Sequence, residues 1–213
     1  MISELNFIVN CTISKINFWI VMTYLFIIST YLFSIFSLPL TADVDVCLST
    51  EEKKLYSMIN EYRKQKKLPP IPYSAKLTAV AQAHAKDLAN NYHFDPQGEC
   101  NPHSWSDKGD WTSCCYTNDH KQAKCMWDKP KEIAGYESEG YEIAYYNSGG
   151  ATADKSLSGW KKSPSHNPLI INSGMWEKAK WQGIGIGIYE GYAVVWFGQL
   201  ADNQNRISTC EVN

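Results

Sequence analysis

The sequence predicts an α+β domain, with helices first, a β-hairpin last and long cysteine-stapled loops between them. Three observations carry this. Apolar residues recur at helical spacing between Leu55 and Leu88. The period then changes, and Gln182 to Gly198 alternates or is β-branched and aromatic, as strands are. Between these regions, His93 to Gly140 is rich in Asp, Asn, Gly, Pro, Trp and Cys and has little periodicity.

Each element has a local cause. Ser49 with Glu52 three residues on is a capping box, and Leu55, Met58, Ile59 and Tyr62 behind it form one apolar face. That helix should end near Lys66, because Pro69 and Pro70 cannot continue it. Ser74 caps a second helix, running to about Asn91, whose apolar face holds Leu77, Val80, Ala81, His84, Ala85 and Leu88. The stretch from His93 to Gly140 reads as loop, stapled by its four cysteines. Glu142 to Tyr146 reads as a short strand or turn edge, and a weaker helix is expected between Thr152 and Lys162. Ser163-Pro164 restarts a helix, with Ser as cap and Pro at the first helical position. Glu190-Gly191 is the two-residue turn of the final hairpin. Glycine alternating with isoleucine in Gly183 to Ile188 leaves one strand face without side chains, so something should pack close there. No internal repeat is visible.

Composition narrows the function. The chain has 213 residues, 44% of them hydrophobic and 20% charged, an ordinary globular balance. A net charge of -2 argues against a nucleic-acid partner, and no glycine-rich phosphate loop supports nucleotide chemistry. Eight Trp and thirteen Tyr suit a modest core and a lined groove equally well.

The first 42 residues are a different material. From Ile16 to Leu40 runs an apolar, almost uncharged stretch, long enough at roughly 25 residues to span a bilayer. It reads as a secretory signal cut near Leu40-Thr41-Ala42, with a retained signal anchor or a start at Met22 as alternatives. Membrane attachment follows only if this segment is retained; by either route residues 43–213 form one domain outside the cytosol. The sequon Asn10-Cys-Thr12 lies ahead of this stretch, so no N-glycan is expected on the mature domain. Cys11 would leave with the signal. Cys47, Cys100, Cys114, Cys115, Cys125 and Cys210 remain, an even set that reads as up to three disulfides among fifteen possible pairings. Adjacent Cys114 and Cys115 should have different partners, and a Cys47–Cys210 bond would tie both ends of the domain. Their spacing does not match a cysteine-zinc site.

Two histidines and one carboxylate sit in short, distinctive contexts: Cys100-Asn-Pro-His103-Ser104, Gly140-Tyr-Glu142-Ile-Ala144 and Trp160-Lys-Lys-Ser163-Pro-Ser-His166-Asn167. His103 lies in a polar, cysteine-flanked loop, where it either bonds locally or serves as a ligand or acid/base. Glu142 is surrounded by Tyr141, Ile143 and Ala144, and a carboxylate buried there without a partner would cost several kcal/mol. With Ser163 as cap, His166 falls at the third helical position, where the helix N-terminus favours the neutral imidazole that binds metal. His84, on the apolar face of the second helix, reads as a packing or supporting residue. Asp87 reads as a structural hydrogen-bond acceptor, and His93 and His120 as surface residues. Ser163, His166 and Glu142 also supply the residue types of a serine hydrolase, but no G-x-S-x-G turn accompanies them. A cysteine protease is weaker still, because a paired cysteine is not a nucleophile.

These motifs resemble the CAP superfamily, which groups cysteine-rich secretory proteins, insect antigen five and plant pathogenesis-related class-one proteins. The resemblance runs from about Leu55 to Ala201 and implies a three-layer α-β-α sandwich. It implies an open cleft in which His103, Glu142 and His166 converge, able to hold Zn2+ or another divalent cation. Many members carry a glutamate where this chain has Ser163, so metal should bind weakly here. The resemblance also implies a secreted binding or defence module rather than an enzyme, with a sterol, lipid or extracellular protein as partner. The alternatives are an extracellular metal-dependent or Ser/His hydrolase and a structural domain with a vestigial cleft. The aromatic-rich loop from Trp105 to Trp127 is the expected ligand-facing or partner-facing surface.

Overall fold

The computed structural model describes residues 45–92 and 97–210. In chain order these form α1 (Thr50–Gln65), α2 (Ala75–Asn91), α3 (Ala123–Ala134), β1 (Gly140–Tyr146), α4 (Ala153–Lys162), α5 (His166–Ile170), a 3-10 turn (Gly174–Trp176), β2 (Gly183–Tyr189) and β3 (Tyr192–Gly198). The expected signal segment, the sequon at Asn10 and His93 lie outside the described residues. Among the described residues no helix is long and apolar enough to cross a membrane.

The sheet is antiparallel in the order β1-β3-β2, and Tyr189 pairs with Tyr192 across the Glu190-Gly191 turn. All seven residues of β3 are buried. Ala193, Val195 and Phe197 pack with Leu55, Ile59, Leu157 and Trp160 of α1 and α4, while Tyr192, Val194 and Trp196 pack with Leu77, Val80, Ala81 and Leu88 of α2. Helices therefore cover both faces of this central strand, which explains why Tyr192 to Gly198 shows no polar alternation.

The glycines of β2 are explained the same way. A Cβ on Gly185 would lie 2.0 Å from the Leu77 carbonyl carbon, and one on Gly187 would lie 2.2 Å from the Ala81 oxygen. The backbone of α2 rests directly on this strand, while Ile184 and Ile186 fill the opposite core. The capping box of α1 forms in full, Ser74 caps α2, and Thr152 caps α4.

Two expectations need correction. The stretch read as continuous loop contains α3, which lacks a side-chain cap at Gln122 and has Pro130 inside it. Both features erase the usual helix signature. Buried Met126 and Pro130 bring this helix onto the core, and it ends at Gly135 in the left-handed conformation, φ 59°. The second correction concerns the aromatic loop. Trp105 and Tyr116 are 3% and 4% exposed and line the core, so these two aromatics are not part of an outward face, whereas Trp111 and Trp127 are half-buried.

The cysteines pair as Cys47–Cys210, Cys100–Cys115 and Cys114–Cys125. The first ties the two ends of the domain beside a bridge between Leu48 and Thr209. The other two fasten the loop that carries His103.

A candidate cleft built on Glu142

Three elements deliver the central residues. His84 projects from the buried face of α2, and Glu142 is the third residue of β1, opposite Trp196 and therefore on the α2 side of the sheet. His103 comes from the stapled loop. Its backbone amide donates to Asn101 Oδ1 at 3.0 Å, and the loop is closed by the Trp105–Cys114 bridge.

Glu142 is enclosed. Its Oε2 faces His84 Nδ1, and its Oε1 accepts from His103 Nδ1 at 2.6 Å. The His84 side chain is fully buried and that of Glu142 is 1% exposed, whereas that of His103 is 18% exposed and opens outward. Burial alone would push the Glu142 carboxyl up, but the neighbouring His84 and His103 outweigh it and hold the group down at about 2. Glu142 is thus the acceptor in both contacts.

That assignment fixes the protons. His84 Nε2 faces the Ser104 carbonyl oxygen at 2.9 Å, so it must donate there. With an ionised Glu142 beyond Nδ1, both His84 nitrogens face acceptors. His103 donates through Nδ1, which leaves its Nε2 lone pair directed away from Glu142. Trp105 stacks on His84 with ring centroids 4.0 Å apart and planes 8° apart, and Lys129 Nζ lies 5.7 Å from the Trp105 ring. His84, read from the sequence as a supporting residue, therefore makes the innermost contact of the site. No local sequence signal distinguishes it, because its partner arrives from a strand 58 residues away.

His166 stands at the start of α5. The helix begins at His166 with Ser165 in the cap position, not at Pro164 as expected, so His166 is its first residue. Ser163 still holds the turn ahead of it, its Oγ accepting the His166 amide at 3.3 Å and its carbonyl the Asn167 amide at 3.1 Å. Tyr62 Oη donates to Asn167 Oδ1 at 3.0 Å and anchors the segment to α1. Burial, and the nearby His103, push the His166 imidazole down to about 4, against the opposing pull of Glu142. It is neutral at physiological pH and belongs to the same electrostatic neighbourhood as His103 and Glu142.

The arrangement bears on each chemistry weighed above. The Ser163 hydroxyl is engaged by the His166 backbone amide and by Ser165 Oγ at 3.0 Å, while Glu142 orients His84 and His103 instead of His166. A divalent cation would meet the imidazoles of His103 and His166 as donors, with Glu142 fixing the tautomer of His103 rather than ligating. Among the described residues no three His, Cys, Asp or Glu converge on one metal position, so the donor set fits only an ion completed by water. Asp87 accepts from the Ser106 amide at 2.9 Å and from Asn91 at 2.8 Å, a structural acceptor as expected. His120 is exposed and its Nδ1 meets Tyr116 Oη at 3.2 Å.

Among solved structures, an extracellular SCP-domain protein of Bacillus anthracis is similar at 18% identity, over 70% of this chain and 40% of its own length, with a TM-score of 0.48. A cysteine-rich secretory protein of Staphylococcus aureus is similar at 16% identity, over 70% of this chain and 38% of its own, with a TM-score of 0.46. For an outer surface protein of Borrelia burgdorferi the identity is 21%, the coverage 70% and 92%, and the TM-score 0.48. The chain spans less than half of the Bacillus and Staphylococcus proteins. No curated protein matches it in sequence. The sequence model of the CAP cysteine-rich secretory protein family matches residues 56–200, most of the chain, and the protein belongs to that family.

Proposed function

We propose that this protein is an extracellular, disulfide-stabilised binding module on a three-layer CAP-type sandwich, not a hydrolase. The observation that carries this reading is the use of Glu142: its two oxygens go to His84 and His103, while the Ser163 hydroxyl holds a backbone amide. A nucleophile, a base and an orienting acid in line are what covalent hydrolysis needs, and these residues are committed elsewhere. The three disulfides support an oxidising, extracellular location. The expected partners are a sterol or other lipid, or an extracellular protein.

Metal binding is the second reading, favoured by the free Nε2 of His103 and the neutral His166. Zn2+ would dock weakly there, and its affinity should fall about ten-fold or more in Glu142→Gln, which loses the orienting carboxylate. The test of the main reading is treatment of the purified protein with a fluorophosphonate probe and with peptide and ester substrates, beside His166→Ala. No labelling of Ser163 and no turnover are expected. Labelling or turnover that disappears in His166→Ala would establish a hydrolase instead.

A further inference from the structure

A hollow lies at the other end of the same sheet face. Tyr146 closes β1 and Tyr192 opens β3, and the two are cross-strand partners with ring centroids 4.8 Å apart and planes 40° apart. Tyr92 ends α2, and its phenol donates to the Cys100 carbonyl at 2.9 Å, which holds the ring in place. With Ser148 and Glu190, these rings line a hollow of about 550 Å³. Glu142 and Tyr146 stand four residues apart on β1, roughly 13 Å along an extended strand, so this hollow is separate from the cleft.

The lining has a particular chemistry. Burial, with Tyr146 and Tyr92 beside it, pushes the Tyr192 phenol up to about 12, and the tyrosine rings of the lining present electron-rich faces. Glu190 sits exposed in the hairpin turn at φ 48°. Asparagine or glycine would take that conformation at lower cost, so the turn pays strain to keep a carboxylate at the rim. The nearby Lys155 ammonium is held by the carbonyls of Gly149 and Gly150 at 3.3 and 3.1 Å, and among the described residues Glu190 has no cation partner.

Aromatic faces beside one carboxylate suit a cation that cannot donate hydrogen bonds, because it gains from ring quadrupoles and from a charge at some distance. We propose that this hollow binds a quaternary ammonium group, carried by a choline headgroup or by a trimethylated lysine. Its volume exceeds the ammonium itself and leaves room for the start of the bearing chain. The site does not depend on how the His84–Glu142–His103 cleft functions.

The experiment compares choline with its uncharged isostere 3,3-dimethyl-1-butanol by calorimetric or NMR titration of the whole protein. Choline is expected to bind about ten-fold or more tightly than the isostere. Tyr146→Ala and Glu190→Gln, both at exposed positions, should each weaken choline at least about five-fold, measured at a temperature where each variant is shown to be folded. Equal affinity for the isostere overturns the proposal, as does absence of choline binding or native-like binding by both variants. Competition by phosphocholine and by a trimethyllysine peptide then shows which bearer fits, since either one displacing choline supports the site.

Discussion

Replacing His84 tests the energetics of the cleft. His84 and Glu142 are both buried, and His84 also bonds the Ser104 carbonyl and stacks on Trp105. Removing His84 leaves one oxygen of the buried Glu142 without a partner while His103 still compensates the other, at a cost of about 1–3 kcal/mol. Loss of the Trp105 stack adds about 1 kcal/mol. Against a total stability of about 5–15 kcal/mol, His84→Leu should remove a large fraction of it. Because the penalty comes from the orphaned partner, the double variant His84→Leu/Glu142→Met should be far less destabilised than the sum of the singles. Urea unfolding of the four proteins gives the coupling energy directly, expected at about 2 kcal/mol or more. A single-variant cost below about 1 kcal/mol, or simple additivity of the two, would refute the reasoning.

Further outcomes follow from other parts of the fold. Gly185→Ala drives a methyl into the Leu77 backbone and should cost about 3 kcal/mol or prevent folding, whereas Gly183→Ala, whose nearest neighbour is the Leu77 Cδ1 atom at 3.1 Å, should be milder in thermal melts. Replacing both Cys47 and Cys210 by Ser opens a connection 163 residues long and should lower stability by about 2–5 kcal/mol in denaturant titration. The pH dependence comes from His166, whose folded imidazole is held at about 4 against 6.5 unfolded. The unfolded chain therefore binds the extra proton first, and stability in metal-free buffer should fall as pH drops from 6.5 towards 4. His166→Asn should flatten that part of the curve, and an unchanged slope would contradict it.

Much of the fold is legible in the residues. Ser49 with Glu52, Ser74 and Thr152 mark real helix starts, and the Gly-Ile alternation marks the strand on which α2 lies. The helix at 123–134 is not legible, because Pro130 and the uncapped Gln122 give no helical signature while tertiary burial of Met126 supplies the stability. At the candidate site, the local contexts single out His103 and Glu142, which the structure brings into contact, and His166, which stands in the same electrostatic neighbourhood. The sequence reading does not show that Glu142 spends both oxygens on histidines, since that depends on α2, β1 and the stapled loop meeting in space. The burial of Trp105 is not legible for a related reason: it lies in a polar loop, fastened by two disulfides, whose packing against the core has no local sequence signal.

The most direct measurement is long-range 15N–1H NMR of the histidine rings near neutral pH, on the native protein and on Glu142→Gln. Protons on both nitrogens of His84 are expected, together with an Nδ1–H tautomer for His103, and both features should be lost or altered in the variant. A His103 ring protonated on Nε2 alone, or histidine signals indifferent to Glu142→Gln, would contradict a cleft organised around that carboxylate.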